Sequence, residues 1–292
     1  MKKIILPVLL FSLISSLSFV SCNQNGSGEA YTLKMKLAKG DKFTHEVDTK
    51  LDMSFDMMGQ PMDMNMTMNG LLDFEVLGDS AGLKEVGMTY TQMKMGMKMK
   101  AMGIENITDS IMDKATGRIV GKTVTMQLNE KNEIVNTNGF ETFAGNEEMD
   151  EATREQMNKM FSKEQLNSML GMMFQMYPDK PVKIGDSWEN ETNTSMAGVA
   201  MKVKGKYTLT SVKDGVAFIA LEGKFSGKGN MDQGGVAMEM DMDGTQKGTV
   251  NIGLADGYLK DSDYKIEVKG AMNVMGQKMP LTMKGYYLMK GK

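Results

Sequence analysis

The sequence predicts a mainly β chain with a helical insert (α+β), whose strands form a large curved antiparallel sheet or partly closed barrel. Three observations carry this. Apolar and polar residues alternate over long stretches, as in MDMNMTM (62–68), MKMGMKM (93–99) and MEMDM (238–242), and a period of two puts one set of side chains on one face of a strand. Glycines recur inside these stretches, at 70, 87, 96, 205, 223, 244, 248, 270 and 285, where they let a long sheet bend. Only from about Asn146 to Tyr177 does the period become helical.

YTLKMKL (31–37) sets Tyr31, Leu33, Met35 and Leu37 on one side and predicts a first strand. After the turn at 38–41, Phe43, Val47, Leu51, Met53, Phe55 and Met57 continue the alternation. Gly59, Gln60 and Pro61 turn the chain. Met62, Met64, Met66, Met68, Leu72, Phe74 and Val76 then share one phase, against Asp63, Asn65, Thr67, Asn69, Asp73 and Glu75 on the other. One apolar and one wet face is the pattern of an antiparallel sheet solvated on one side. At roughly 3.3 Å per residue the run from 61 to 77 would extend about 55 Å, so it must curve to stay within a compact domain. Between Tyr90 and Met93 the apolar phase passes from even to odd numbers, the mark of a β-bulge.

In the middle, Met149, Met157, Met160 and Phe161 mark one helix. Ser162 and Gln165 suit a capping box for a second, whose stripe is Leu166, Met169, Leu170, Met173 and Met176 and which Pro178 ends. That stripe needs an apolar partner, and the concave face of the sheet supplies one. The segments flanking the insert resemble each other: LAKGDKF (37–43) and VKIGDSW (182–188), MNGLLDFEVLGDSAG (68–82) and VKGKYTLTSVKDGVA (203–217), GKTVTMQLNEKNEIV (121–135) and GTVNIGLADGYL (248–259). A duplicated β unit is therefore proposed. The expected organisation is a signal (1–21), a tether (22–30), a first β unit (31–145), the helical insert (146–177) and a second β unit (178–292), with 31–292 forming one compact domain.

The chain opens MKKIILPVLLFSLISSLSFVSC, two lysines before an apolar run from Ile4 to Val20 and then Cys22. The run falls short of the roughly 20 residues of a membrane span and has the plan of a secretory signal. Cys22 is the one cysteine, so it has no disulfide to join. The stretch resembles a bacterial lipoprotein signal, in which that cysteine is acylated and starts the mature chain, although Phe19 stands where the pattern usually has Leu. The resemblance implies a membrane anchor on Cys22, a flexible tether through Ala30 and residence on the periplasmic face of the outer membrane. The formal net charge is −3 with no basic patch, which argues against nucleic acid, and a monomer is expected.

Catalysis has few residues to draw on. Gly185-Asp186-Ser187 has the look of a serine-hydrolase nucleophile block, but a serine needs a base, and the one histidine, His45, lies upstream between Thr44 and Glu46. GDSW reads better as a turn entering a strand, with Trp188 packing inward. One histidine and an acylated cysteine make no zinc site. DMDGTQ (241–246) lacks the ligand set of a calcium loop, and no phosphate or dinucleotide fingerprint occurs. No catalytic residue, metal ligand or cofactor is assigned. Asp63, Asp73, Glu75, Glu239 and Asp241 are expected to face Lys94, Lys98 and Lys100 across strands.

Methionine is the unusual component, 35 of 292 residues. Thioethers suit monovalent copper or silver, yet alternate residues of one strand lie about 6.6 Å apart, and the Met phase runs straight on into Leu72, Phe74 and Val76. An apolar lining is the favoured reading, since Met gives a conformable surface. Its candidate residues are Met62, Met64, Met66, Met68, Met93, Met95, Met97, Met238 and Met240, with Met169 and Met173 on a lid helix.

KGDKF (39–43), the Met/Thr-rich hairpin after it, PVKIGDSW (181–188) and the closing hairpin AMNVMGQKMPLTM (271–283) together resemble a family of uncharacterised lipoproteins of Bacteroidetes-type bacteria, a domain of unknown function. The likeness covers most of the chain after the signal and implies no activity. A curled sheet with helices also resembles, in architecture alone, the lipoprotein-carrier half-barrels. The expected function is non-enzymatic: an anchored envelope lipoprotein that binds an apolar, lipid-like ligand or partner on its Met-lined sheet. Soft-metal binding or Met-based oxidant scavenging is the alternative, and a structural or interaction module with a filled core is the third reading.

Overall fold

The computed structural model describes residues 28–292 apart from 58–59, 102–103, 108–112, 114–115, 140–169, 172, 175, 197–198, 234–235 and 275. The signal, Cys22 and the helical positions Met149, Met157, Met160, Phe161 and Met169 lie outside the described residues.

Among the described residues twelve antiparallel strands make one sheet. The first half supplies β1 (Lys42–Met57), β2 (Gln60–Ser80), β3 (Leu83–Ala101), β4 (Ile104–Ile107), β5 (Thr123–Leu128) and β6 (Ile134–Asn138). The second supplies β7 (Ser187–Met196), β8 (Val199–Lys213), β9 (Val216–Gln233), β10 (Val236–Gly253), β11 (Leu259–Val274) and β12 (Gln277–Gly291). The path runs β6-β5-β3-β2-β1-β12-β11-β10-β9-β8-β7, with β4 beside β3. The mainly β, curved antiparallel class is thus borne out. Described helix is confined to 116–119 and to residues 113, 170, 171, 173 and 174.

The alternation sorts faces as its period dictates. On β5 Val124, Met126 and Leu128 are fully buried, and on β12 Met279, Leu281 and Met283 are buried while Lys278, Pro280, Thr282 and Lys284 are exposed. The bulge falls where the phase changes: Leu72 opposes Tyr90 but Leu71 opposes Gln92, which leaves Thr91 as the extra residue.

The predicted first strand is not one. Residues 31–37 run extended with a single bridge, Tyr31 to Val182. Leu33, Met35 and Leu37 still point inward and are buried; alternation follows from an extended backbone, whereas a ladder needs a neighbour in register. This strap joins two parts of the core, Leu33 packing with Leu209, Ile219 and Ile252, and Met35 and Leu37 with Phe43 and Phe74. It passes so close to Gly257 (φ 74°) that a Cβ there would collide with the Lys34 carbonyl, so only glycine fits.

The two Gly-Asp turns share one geometry. Gly40 (φ 91°) and Gly185 (φ 95°) both take left-handed backbone. Asp41 Oδ2 accepts from Ala38 N at 2.9 Å, and Asp186 Oδ2 from Lys183 N at 2.8 Å. Gly40 and Gly185 donate to the carbonyls of Val76 and Leu209, whose amides return to the carbonyls of Asp41 and Asp186. The following hairpin turns agree too, Ala81-Gly82 with φ of 54° and 79° and Asp214-Gly215 with 50° and 75°. Bulges recur at Gln127/Leu128 and Asn251/Ile252.

The helical residues fill one end of the concave face. Leu170 and Phe174 are fully buried in the core of the first half, with the Phe174 ring edge-on to Phe74 at 6.3 Å. The exposed charges pair differently from expectation. Glu75 meets Lys42 at 3.3 Å, Asp241 meets Lys228 at 3.7 Å, and Asp73 accepts from Thr44 at 2.7 Å. Asp63 does oppose Lys100, but its carboxylate accepts from Ser54 at 2.7 Å. Register gives Asp73, Glu75 and Asp241 nearer partners than the β3 lysines, and such exposed pairs contribute about 1 kcal/mol at most.

Candidate functional site

Three rows of inward-facing residues cross nine strands in register, from β3 to β7. The first reads Met95, Met68, Thr49, Tyr287, Tyr264, Gly248, Leu221, Tyr207, Trp188. The next reads Met97, Met66, Leu51, Gly285, Ile266, Gln246, Gly223, Gly205, Asn190. The third reads Met99, Met64, Met53, Met283, Val268, Gly244, Phe225, Val203, Thr192. The first row is bulky and aromatic. The second carries three glycines and so forms a trough beside it.

A cavity of about 200 Å³ lies in this curl. Val47, Leu72, Leu221, Val250 and Leu259 give it aliphatic walls; Tyr90, Tyr207, Tyr264 and Tyr287 give aromatic ones; Met173 and Met176 cover it from the helical side. Tyr90 on β3 and Asn190 on β7 both line it, although these strands sit far apart along the sheet path and share no ladder. The sheet therefore wraps around the cavity. Tyr264 stacks on Tyr287 at 5.0 Å, and Trp188 on Tyr207 at 5.7 Å. Trp188 Nε1 donates to the Met176 carbonyl at 3.0 Å, which ties the helical cover to β7.

The polar lining is Thr49, Asn190, Thr192, Gln246 and Ser262. None of the described lining residues is an acid, a lysine, an arginine or a histidine. Burial pushes the Tyr90 and Tyr207 phenols up to about 12 and raises Tyr264 and Tyr287 as well, so all four are neutral hydrogen-bonding groups at physiological pH.

His45 lies on the same inward face, beside Met173, Met176 and Leu259, without lining the cavity. It is 2% exposed, its ring 5.5 Å from both Phe43 and Phe74. Burial pulls its pKa down to about 4 against the opposing hydrogen bond to the Leu259 backbone, and its Nδ1 has no hydrogen-bond partner among the described residues. The Gly-Asp-Ser segment is a turn into β7, with Asp186 occupied by the Lys183 amide and Ser187 Oγ 2.8 Å from Thr208 Oγ1. Among the described residues no group of three His, Cys, Asp or Glu is placed to hold a metal, and no helix is long and apolar enough to cross a membrane.

Of the residues picked from sequence, Met68 and Met173 line the cavity. Met66 with Met97, then Met64, follow in the rows beyond it, and Met62 opposes Phe55 one step further. Met95 is buried beside Met68, and Met93 packs on the first-half core. Met238 and Met240 sit in a separate cluster with Met272 and Met279. Sequence reasoning missed the tyrosines, Asn190, Ser262 and Gln246. Gln246 was detectable, because it interrupts the inward phase Met240, Met242, Gly244, Gly248, Val250 with an amide.

The model of a family of unknown function (DUF6263) matches residues 81–259. No curated protein matches. Among solved structures, one titled for lipid–protein interactions in lipovitellin superposes with a TM-score of 0.51 at 6% identity, over 88% of this chain and 25% of that one. The likeness is one of fold, and this chain spans about a quarter of that chain's length. An outer membrane channel from Pseudomonas putida F1 aligns over 88% of this chain and 97% of its own at 10% identity, with a TM-score of 0.26, too loose to carry an argument.

Proposed function

The chain belongs to the family of unknown function DUF6263, and from that premise, which supplies no activity, we propose that it is a non-enzymatic binder of a lipid-like molecule held in the curl of its sheet. The observation that carries this is the cavity of about 200 Å³, walled by aliphatic and aromatic side chains with a few uncharged polar groups. Apolar pockets with few polar groups are where small apolar ligands bind. Met173 and Met176 on the cover and Met68 on the wall are flexible enough to follow a ligand's shape. The leader and Cys22 support an acylated form anchored in the bacterial envelope, on the periplasmic face of the outer membrane.

Soft-metal binding has one specific observation in its favour. Met99, Met64, Met53 and Met283 stand side by side on four adjacent strands, about 4.8 Å from strand to strand, close enough for thioethers to converge. Native mass spectrometry of protein purified from bacterial cells separates the two. An added mass of an acyl-chain lipid, released on denaturation, is the expected result. Increments of copper or silver select the metal reading. A bare mass that no added lipid alters sinks the lipid reading.

A further inference from the structure

We infer that the cavity selects an uncharged amphiphile, an acyl-like body with a hydroxyl, ester or amide head, and that Gln246 reads the head. This rests on the lipid reading above and adds the class of ligand. The described lining combines apolar walls with hydroxyls and carboxamides alone. A charged head brought into such a wall exchanges water for groups that carry no countercharge, and burying an unpaired ion is costly. The lysines of the same strands, Lys202, Lys204, Lys224 and Lys269, are exposed and line a groove separate from the cavity. His45 packs its ring against Phe43 and Phe74 and is not one of the cavity's lining residues.

Gln246 has a built seat. It occupies the inward phase of β10, opposite Gly223, which in turn opposes Gly205. A Cβ at Gly223 would fall 2.5 Å from Gln246 Cγ and Nε2. The carboxamide therefore lies over β9, in space that a side chain on the neighbouring strand would fill. Asn190 continues the same row on β7, and Thr49, Thr192 and Ser262 complete the polar lining. A carboxamide presents a donor pair and an acceptor together, which matches a hydroxyl or ester and offers an anion no charge.

The test compares matched acyl chains, of a length that suits a cavity of about 200 Å³, on the full-length protein: monooctanoylglycerol, octanoate and octanoyl-lysophosphatidylglycerol. Trp188 is the only tryptophan and stacks on Tyr207 of the lining, so its emission reports occupancy. Monooctanoylglycerol should bind at least about tenfold tighter than either anion. Gln246→Leu should cut that preference at least about threefold, the scale of one lost hydrogen bond, with the far-ultraviolet circular dichroism unchanged. Equal or tighter binding of the anions overturns the inference and leaves the lipid reading standing. An unaltered preference in a folded Gln246→Leu variant removes Gln246 from the role. Failure of all three to bind overturns the inference and the lipid reading together.

Discussion

At the residue scale, single side chains are held by what surrounds them, and two positions make this measurable. His45 belongs to the inward phase with Phe43 and Val47, although its sequence neighbours Thr44 and Glu46 hide this. Its folded pKa of about 4 lies below the ordinary 6.5, so between those values the unfolded chain binds the proton and the folded one does not. Stability should fall as pH drops from about 6.5 towards 4, by up to about 3 kcal/mol from this residue, and flatten below. Denaturant midpoints measured across that range should show a shallower slope in His45→Leu than in the parent; parallel slopes would show that His45 is not the titrating group. Gly257 is the other position. Gly257→Ala places a Cβ against the Lys34 carbonyl at a φ of 74°, and should cost about 2 kcal/mol or more. A midpoint within error of the parent would mean that the strap does not lie where it is placed.

At the scale of elements, the same short signal produced the same local structure twice. Gly-Asp at 40–41 and at 185–186 closes one turn geometry, and the hairpins that follow differ in length by an equal amount on both arms. β1 and β2 have 16 and 21 residues, β7 and β8 have 10 and 15, so the first hairpin is longer by six in each strand. An equal extension of both arms preserves inward and outward faces, which an odd or one-sided insertion would not. The two aspartates are not equivalent, however. Asp41 also accepts from the Tyr258 hydroxyl at 2.8 Å, and its carboxyl is held below the usual range by the Ala38 amide first and Tyr258 second. Asp41→Ala should therefore lower the thermal midpoint more than Asp186→Ala, and Tyr258→Phe should remove most of the difference. Equal losses with Tyr258 intact would refute this. These turns, the bulge at Thr91 and the face of each strand were legible in sequence because each depends on a few adjacent residues. The strap at 31–37 was misjudged for the complementary reason: its alternation is local, but its lack of a continuous ladder depends on distant strands.

At the scale of the whole molecule, the cavity depends on register and closure, which no segment encodes alone. Thr49, Gln246 and Asn190 lie on three strands far apart in sequence, and only the full ladder brings them to one wall. The apolar face was readable; which part of it stays open was not, since Phe174 and Leu170 fill one end and the glycine row opens the trough. The same closure makes the last prediction. Along the described sheet β7 pairs with β8 alone, and β3 pairs with β5 only over Lys84–Thr89 and with β4 over Lys98–Ala101. Both strands reach the cavity, through Tyr90 on β3 and Asn190 and Thr192 on β7. A ligand spanning it ties together two strands that no backbone ladder joins. At a concentration one hundred times its Kd, a ligand stabilises the bound state by about 2.7 kcal/mol, and local openings that expel it are suppressed by a similar amount. Amide exchange in β7 and in the middle of β3 should therefore slow by up to about a hundredfold when lipid binds, while β11 and β12, already paired on both sides, change less. Unchanged exchange in β7 and in the middle of β3, with Trp188 emission still reporting binding, would show that the ligand does not bridge these two strands.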